Sequence, residues 1–178
     1  MASKEPVLLT VLIETGRLRW YVAGIALDGS AIPLICSEPG NLSSYLGVAL
    51  DEQVNFLRHR FSGVLQRGCD RLWGRGQKPC QIVFIADGPF VDADPELLLR
   101  VGEHFVAWMA NPPVAFFAGK GGFPGVEGVT LDCIVGDAAP AHHAALQIGL
   151  PRLVAAMRHN ENWELAPPKS AGHSGNQA

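Results

Sequence analysis

The chain has 178 residues, of which 48% are hydrophobic and 17% are charged. This composition provides apolar material for one sizeable core, and the length is too short to suggest several, so we expect one domain over residues 1–165. The formal net charge of −3 gives the molecule no general attraction for nucleic acid or acidic membranes. Any such attraction has to come from a local patch.

Three features bear on the environment of the protein. The longest apolar runs, residues 7–13 and 18–27, fall short of the roughly 20 residues of a membrane-spanning helix, and we recognise no export signal, so we expect a cytoplasmic protein. The wide spacing of the cysteines lacks the close pairs of zinc or redox motifs and predicts buried free thiols at Cys36, Cys69, Cys80 and Cys133. Residues 166–178 are polar and lack an apolar period, which predicts a disordered tail.

The first part of the chain predicts three strands joined by tight turns, at residues 7–13, 18–27 and 31–36. The first is apolar except for Thr10, which is typical of a strand covered on both faces. Asp28 and Gly29 predict a type I′ turn, in which both central residues have positive φ. Pro33 places the third strand at an edge of the sheet, because proline cannot donate a ladder hydrogen bond.

Helices and strands alternate in the middle of the chain. Apolar residues recur at helical spacing over residues 51–73, which predicts the first helix, and short apolar runs predict strands at 82–86, 114–118 and 129–135. Asp94 and Pro95 are a typical start for a second helix that ends at Asn111. Beyond the sixth strand we expect Asp137 to cap a helix, and Pro151 to begin another short helix that ends near His159.

This order of three hairpin-joined strands, helix, strand, helix and strand over residues 7–118 resembles that of ribonuclease H-like domains and of the halves of actin-like ATPases. The resemblance implies an α/β fold with a mixed five- or six-stranded sheet and helices packed on its faces. Actin-like ATPases need a second, similar domain to close over the nucleotide, and this chain has no room for one.

Enzymes of ribonuclease H-like fold cut phosphodiesters with two metal ions held by carboxylates. The resemblance implies that Mg²⁺ or Mn²⁺ would be bound by Glu14, Asp87 and Asp137, and that the catalytic carboxylates would be Glu14, Glu52, Asp87 and Asp137. Asp132 is an alternative for the last position. The sequence departs from the pattern because Thr10 occupies the place inside the first strand and Glu14 ends it. As an alternative, each of these acids is a turn former or a helix cap.

A basic stripe runs along the first helix. At 100° per residue, Arg60, Arg67 and Arg71 fall within an arc of about 40°, where they could meet phosphates of a nucleic acid, with Trp73 nearby for stacking. The alternative is a solvated helix face whose arginine stems cover apolar neighbours. His142 and His143 diverge by about 100° on a helix, so we interpret them as surface or packing residues.

Two functions follow from these observations. The first is a non-catalytic interaction or scaffold domain of ribonuclease H-like shape, which binds a protein partner or itself through an edge strand or the C-terminal helices, with apolar side chains such as Phe123 and Trp163 exposed for contact. The alternative is a Mg²⁺- or Mn²⁺-dependent nuclease or phosphodiester hydrolase that uses the four carboxylates, with nucleic acid bound along the first helix. Convergence of at least three of these carboxylates would favour the nuclease.

Overall fold

A computed structural model describes residues 3–14, 19–37, 50–87, 100, 103–104, 107, 111–120, 130–159 and 162–166. Its strands are β1 (Glu5–Glu14), β2 (Arg19–Ala26), β3 (Ala31–Cys36), β4 (Gln77–Ala86), β5 (Val114–Lys120), β6 (Thr130–Val135) and β7 (Glu164–Leu165). Its two long helices are α1 (Leu50–Gly74) and α2 (Pro140–His159). The α/β class predicted from the sequence is confirmed. No helix within the described ranges is long and apolar enough to cross a membrane.

The strands form one mixed sheet in the order β6-β5-β4-β1-β2-β3-β7. β1, β4 and β5 are parallel, β2 is antiparallel to both β1 and β3, and β6 is antiparallel to β5. The described part of the sheet has seven strands instead of the expected five or six. The additional strand is β7, which pairs in parallel with the last two residues of β3. Its two residues are too few to carry a strand period, so the sequence pattern could not reveal it.

Each face of the sheet carries its own apolar core. On the first face, Phe84 of β4 lies between Phe61 of α1 and Phe116 of β5, at ring-centroid distances of 5.4 and 4.6 Å. On the second face, Leu146 and Leu153 of α2 pack against the sheet. The residues of β1 from Val7 to Leu12 are fully buried, because α1 and α2 cover opposite sides of the same strand. This burial explains the continuous apolar run and confirms the expectation for the first strand.

The turn between β2 and β3 differs from the predicted type I′. Gly29 has a φ of 88°, whereas Asp28 is not among the residues with positive φ. The Gly29 amide donates to Ala26 O at 2.8 Å, and Ala26 N donates to Ser30 O at 2.8 Å. This pattern is typical of a three-residue loop in which a type I turn is followed by one left-handed glycine. Asp28 stabilises the loop by accepting hydrogen bonds from Ser30 N at 2.8 Å and from Ser30 Oγ at 2.7 Å.

The helices follow the prediction at α1 and depart from it at α2. α1 extends one residue beyond each predicted end. α2 begins at Pro140, three residues after Asp137, so Asp137 is not its cap. α2 also continues through Pro151, so the prediction of a separate short helix from Pro151 to about His159 is wrong. The missing Pro151 amide leaves the carbonyl of Gln147 without its helical donor, but Gln147 is exposed to water, and buried residues on both sides of the proline hold α2 on one face of the sheet.

Several predictions concern residues that the structure describes only in part. Arg100, Glu103, His104 and Ala107 have helical backbone, and most of the predicted second helix lies outside the described residues, as do Phe123 and residues 167–178. Ala166, the first residue of the predicted tail, is hydrogen-bonded to the sheet, because its amide donates to Cys36 O at 2.8 Å. Strand β3 is not the outermost strand either, although β7 pairs only with Ile35 and Cys36 and leaves Pro33 beyond the paired part.

Candidate functional site

Glu14 and Asp87 are neighbours at the carboxyl ends of two adjacent parallel strands. Ile13 of β1 pairs with Ala86 of β4, and the amide of Asp87 donates to Ile13 O at 3.2 Å. Side chains alternate along a strand, and Leu12 lies on the α2 face, so Glu14 and Asp87 are placed on that face as well. Asp87 is buried, with 8% of its surface exposed.

The position of this pair in the sheet is one where α/β proteins often bind ligands. From β1 the chain order runs outward to β2 and β3 on one side, while β4 and β5 lie on the other. The boundary between β1 and β4 is therefore a topological switch point, and ligands in open α/β sheets bind at the carboxyl ends of strands at such points. Two of the four predicted carboxylates lie there.

The other two predicted carboxylates lie elsewhere. The carbonyl of Asp137 accepts a hydrogen bond from Gln81 Nε2 at 2.7 Å, and Gln81 precedes Asp87 by six residues on β4. At about 3.3 Å per residue, Asp137 is on the order of 20 Å from Asp87. Glu52 is exposed in the first turn of α1, which covers the face of the sheet opposite to Glu14. The four carboxylates therefore occupy three different places.

The alternative acid, Asp132, does not complete the pair. It pairs with Ala118 of β5, and Ala118 pairs with Ala86 of β4, so Asp132 lies two strands from the end of β4, roughly 10 Å away. Among the residues that the structure describes, no group of three or more His, Cys, Asp or Glu side chains is arranged to hold a metal ion. The described carboxylates do not fit a two-metal centre.

The basic stripe is partly engaged by the protein itself. Arg67 and Arg71 are exposed on α1, as expected for the stripe, and the side chain of Arg60 lies outside the described part. The guanidinium of Arg71 forms a bidentate ion pair with Glu164 of β7. Trp73 is 48% exposed, and Lys4 Nζ lies 3.5 Å from the centre of its ring. Arg71 and Trp73 are therefore already in contact with charged partners in the chain.

Sequence reasoning missed a cluster that joins β4 to the first turn of α2. Cys80 Sγ lies 3.8 Å from His142 Nε2, and His142 Nδ1 lies 2.6 Å from Gln81 Oε1. Gln81 is 1% exposed, whereas Cys80 and His142 are partly exposed. We refer to Cys80, Gln81 and His142 as the thiol–imidazole cluster. It places a nucleophile, a base and a hydrogen-bonding partner of that base in a row.

An irregularity in the sheet produces this arrangement. Val7 of β1 pairs with Pro79 of β4 and Leu8 pairs with Gln81, so Cys80 is an extra residue in β4. Such a bulge interrupts the strict alternation of side chains and often occurs beside functional sites. Here it allows Cys80 to pack against the apolar core beneath α2 while the adjacent Gln81 contacts His142 of the same helix.

Burial disfavours the thiolate form of Cys80. Desolvation is the largest influence and raises the pKa of Cys80, while hydrogen bonds from the backbone at Cys80 and Gln81 act in the opposite direction. Burial also raises the pKa of Cys69 on α1. A signal for the cluster was present in the sequence, since a cysteine and a glutamine stand directly before the apolar run at 82–86. The separation of more than 60 residues from His142 concealed it.

Comparisons with known proteins gave no match to a protein-family model, to a curated protein or to a solved structure. Three features of the described structure bear on function: the paired carboxylates at the switch point, the edge of the sheet formed by β6, and the thiol–imidazole cluster.

Proposed function

We propose that the chain is an interaction domain with a ribonuclease H-like fold that associates with a second copy of itself through β6. The strand order β3-β2-β1-β4-β5 supports the proposed fold, because an antiparallel meander is followed by two strands parallel to β1. This is the arrangement that the resemblance of the sequence implies. On this proposal β6 and β7 extend the common sheet at its two ends.

The placement of the acids supports interaction over phosphodiester cleavage. A two-metal hydrolase needs carboxylates that converge on both ions. Glu14 and Asp87 meet at the switch point, but Asp137 lies at the far end of β4 and Glu52 on the opposite face. Two neighbouring carboxylates are the one observation that favours the nuclease alternative, and a Mn²⁺ titration described below tests it.

The observation that carries the proposal is the outer edge of β6. Among the described strands, β6 pairs on one side only, with β5. Its six residues, Thr-Leu-Asp-Cys-Ile-Val, contain neither proline nor lysine, which are the residues that usually protect an edge strand from pairing. Leu131, Ile134 and Val135 are only partly buried. Within the described residues this edge is unpaired, and a bulge interrupts it at Ile134, so residues 130–133 are the part that can act as a template for an added strand.

A second copy of the chain fits this edge better than an unrelated peptide. Two β6 strands related by a two-fold axis run antiparallel, so each presents to the other the same row of donors and acceptors. The single acidic residue of the strand, Asp132, is exposed and is not forced into an apolar contact. At the opposite edge of the sheet, Pro33 and the short β7 limit the same kind of pairing.

Sedimentation velocity tests the proposal with two matched variants. We expect a dimer at micromolar concentration for the unmodified chain and a monomer for Cys133→Lys, because Cys133 is an exposed side chain of β6 and lysine protects edges. Ile148→Lys is the control: Ile148 is exposed on α2, so this variant remains dimeric if β6 forms the interface. A monomeric unmodified chain, or dissociation by Ile148→Lys alone, would overturn the proposed interface.

A further inference from the structure

We infer that Cys80 is a nucleophilic thiol, that His142 is its general base, and that Gln81 positions the imidazole, so that the chain accepts acyl groups from activated esters or thioesters. This inference is independent of the proposed interaction through β6. The thiol–imidazole cluster has the arrangement required for such chemistry: a nucleophile beside a base whose orientation is fixed by a third group.

Hydrogen bonding determines which nitrogen of His142 carries the proton. Gln81 Nε2 donates to the carbonyl of Asp137 at 2.7 Å, which fixes the side-chain amide with Oε1 towards His142. Oε1 can only accept, so His142 Nδ1, at 2.6 Å, has to be the donor. In a neutral imidazole the other nitrogen then has a free lone pair. That nitrogen, Nε2, is the one that lies 3.8 Å from Cys80 Sγ.

Burial makes this base necessary. Desolvation raises the pKa of the Cys80 thiol, and the thiolate is the nucleophilic form, so the sulfur needs a base that takes its proton during attack. His142 Nε2 is the nitrogen within reach of that proton. Both side chains are partly exposed, so an electrophile can approach from solvent, while the buried Gln81 holds the imidazole from behind.

The chemistry balances without any additional oxidant or cofactor. Cys80 Sγ attacks the carbonyl carbon of an ester while its proton passes to His142 Nε2. The new bond is the sulfur–carbon bond of a thioester. The bond that breaks joins the carbonyl carbon to the leaving group, through oxygen when the donor is an ester and through sulfur when it is a thioester. His142 returns the proton to that leaving group. Water then attacks the thioester, which releases the carboxylic acid and restores the thiol.

A structural role alone would not use both ends of the imidazole. The hydrogen bond between Gln81 and His142 fastens the first turn of α2 to β4, and this contact needs only Nδ1. A purely structural hydrogen bond between Gln81 and His142 does not require His142 Nε2 to lie near a thiol. It also does not require the bulge that places Cys80 beside Gln81. Removing Nε2 while keeping a donor at the position of Nδ1 therefore separates the two roles. His142→Asn makes this change, because its amide nitrogen can still donate to Gln81.

The test uses p-nitrophenyl acetate as the acyl donor and mass spectrometry to locate acetylated cysteines. In the unmodified chain we expect Cys80 to be acetylated at least about tenfold faster than Cys69, which is also partly buried and also has a raised pKa but does not belong to the thiol–imidazole cluster. In His142→Asn the rate at Cys80 falls about tenfold or more, and the rate at Cys69 is unchanged. Cys80→Ser removes the fast phase of p-nitrophenolate release.

Two outcomes would overturn the inference. Equal acetylation of Cys80 and Cys69 in the unmodified chain excludes an activated thiol and requires no variant to be folded. An unchanged rate at Cys80 in His142→Asn excludes His142 as the base. Thermal melting of each variant accompanies the rates, and acetylation at Cys69 reports whether its part of α1 keeps its normal accessibility.

Discussion

Gly29, in the turn between β2 and β3, lies directly against Ile148 of α2. A Cβ atom built on Gly29 would be 2.3 Å from Ile148 Cγ2, and Gly29 has a φ of 88°. Both the backbone conformation and the close approach require glycine. This contact joins the meander of the first three strands to α2.

Gly29→Ala is expected to lower the free energy of unfolding by about 2–4 kcal/mol, since the left-handed conformation costs roughly 1–2 kcal/mol and the overlap with Ile148 adds a similar amount. Gly63→Ala is the matched control, because a Cβ atom at Gly63 of α1 meets nothing within 4 Å. It should stabilise the chain by about 0.5–1 kcal/mol through helix propensity. Urea denaturation measures both, and a neutral Gly29→Ala would contradict the contact.

The Asp28 carboxylate is expected to titrate below its ordinary value. The hydroxyl and the amide of Ser30 both donate to it and lower the pKa of Asp28, with the hydroxyl as the larger influence. The pKa of an aspartate in an unfolded chain is about 3.9, so this carboxylate stabilises the fold above that pH, and the contribution is lost as the pH falls through the folded pKa. Ser30→Ala should raise the pKa of Asp28 in a carboxyl NMR titration. Ser62→Ala, which changes another exposed hydroxyl, should not.

Mn²⁺ binding distinguishes the interaction domain from the nuclease alternative. Because the described acids bring only Glu14 and Asp87 together, we expect no saturable binding at millimolar Mn²⁺ by calorimetry and no rise in melting temperature. A ligand that binds the folded chain at 100 times its dissociation constant would stabilise it by about 2.7 kcal/mol, which a melting experiment detects. Stabilisation that disappears in Asp87→Asn would support a metal site and contradict this expectation.

The ion pair between Arg71 and Glu164 is expected to contribute little to stability. Both side chains are exposed, at 41% and 57%, and pairs of this kind contribute about 0–1 kcal/mol. Arg71→Ala should therefore reduce the unfolding free energy by less than about 1 kcal/mol, and high salt should diminish the difference. Arg67→Ala, at an exposed position of the same helix, is the control. A double-mutant cycle with Glu164→Gln isolates the interaction; a coupling well above 1 kcal/mol would be inconsistent with an exposed pair.

Trp163 illustrates a contact that the sequence could not indicate. Its ring packs edge-on against Tyr21 of β2 with centroids 5.0 Å apart, and the side chain is only partly exposed. The sequence predicts Trp163 as an exposed apolar side chain that is available for contact with a partner. Trp163 directly precedes β7, which pairs with β3 and so places Trp163 at the sheet. The paired residues Glu164 and Ile35 are far apart in the sequence, so no local pattern indicates this contact.

Local sequence patterns predict the elements of this fold and the faces that they bury. The apolar period of 3.6 residues located α1 to within one residue at each end, and continuous apolar runs located β1 and the buried core of β4, because these patterns depend on neighbours a few positions away. Which polar residues come into contact depends on the packing of segments that are distant in the sequence. The bulge at Cys80 and the entry of α2 at His142 depend on how distant segments pack, and no local pattern records the resulting distances.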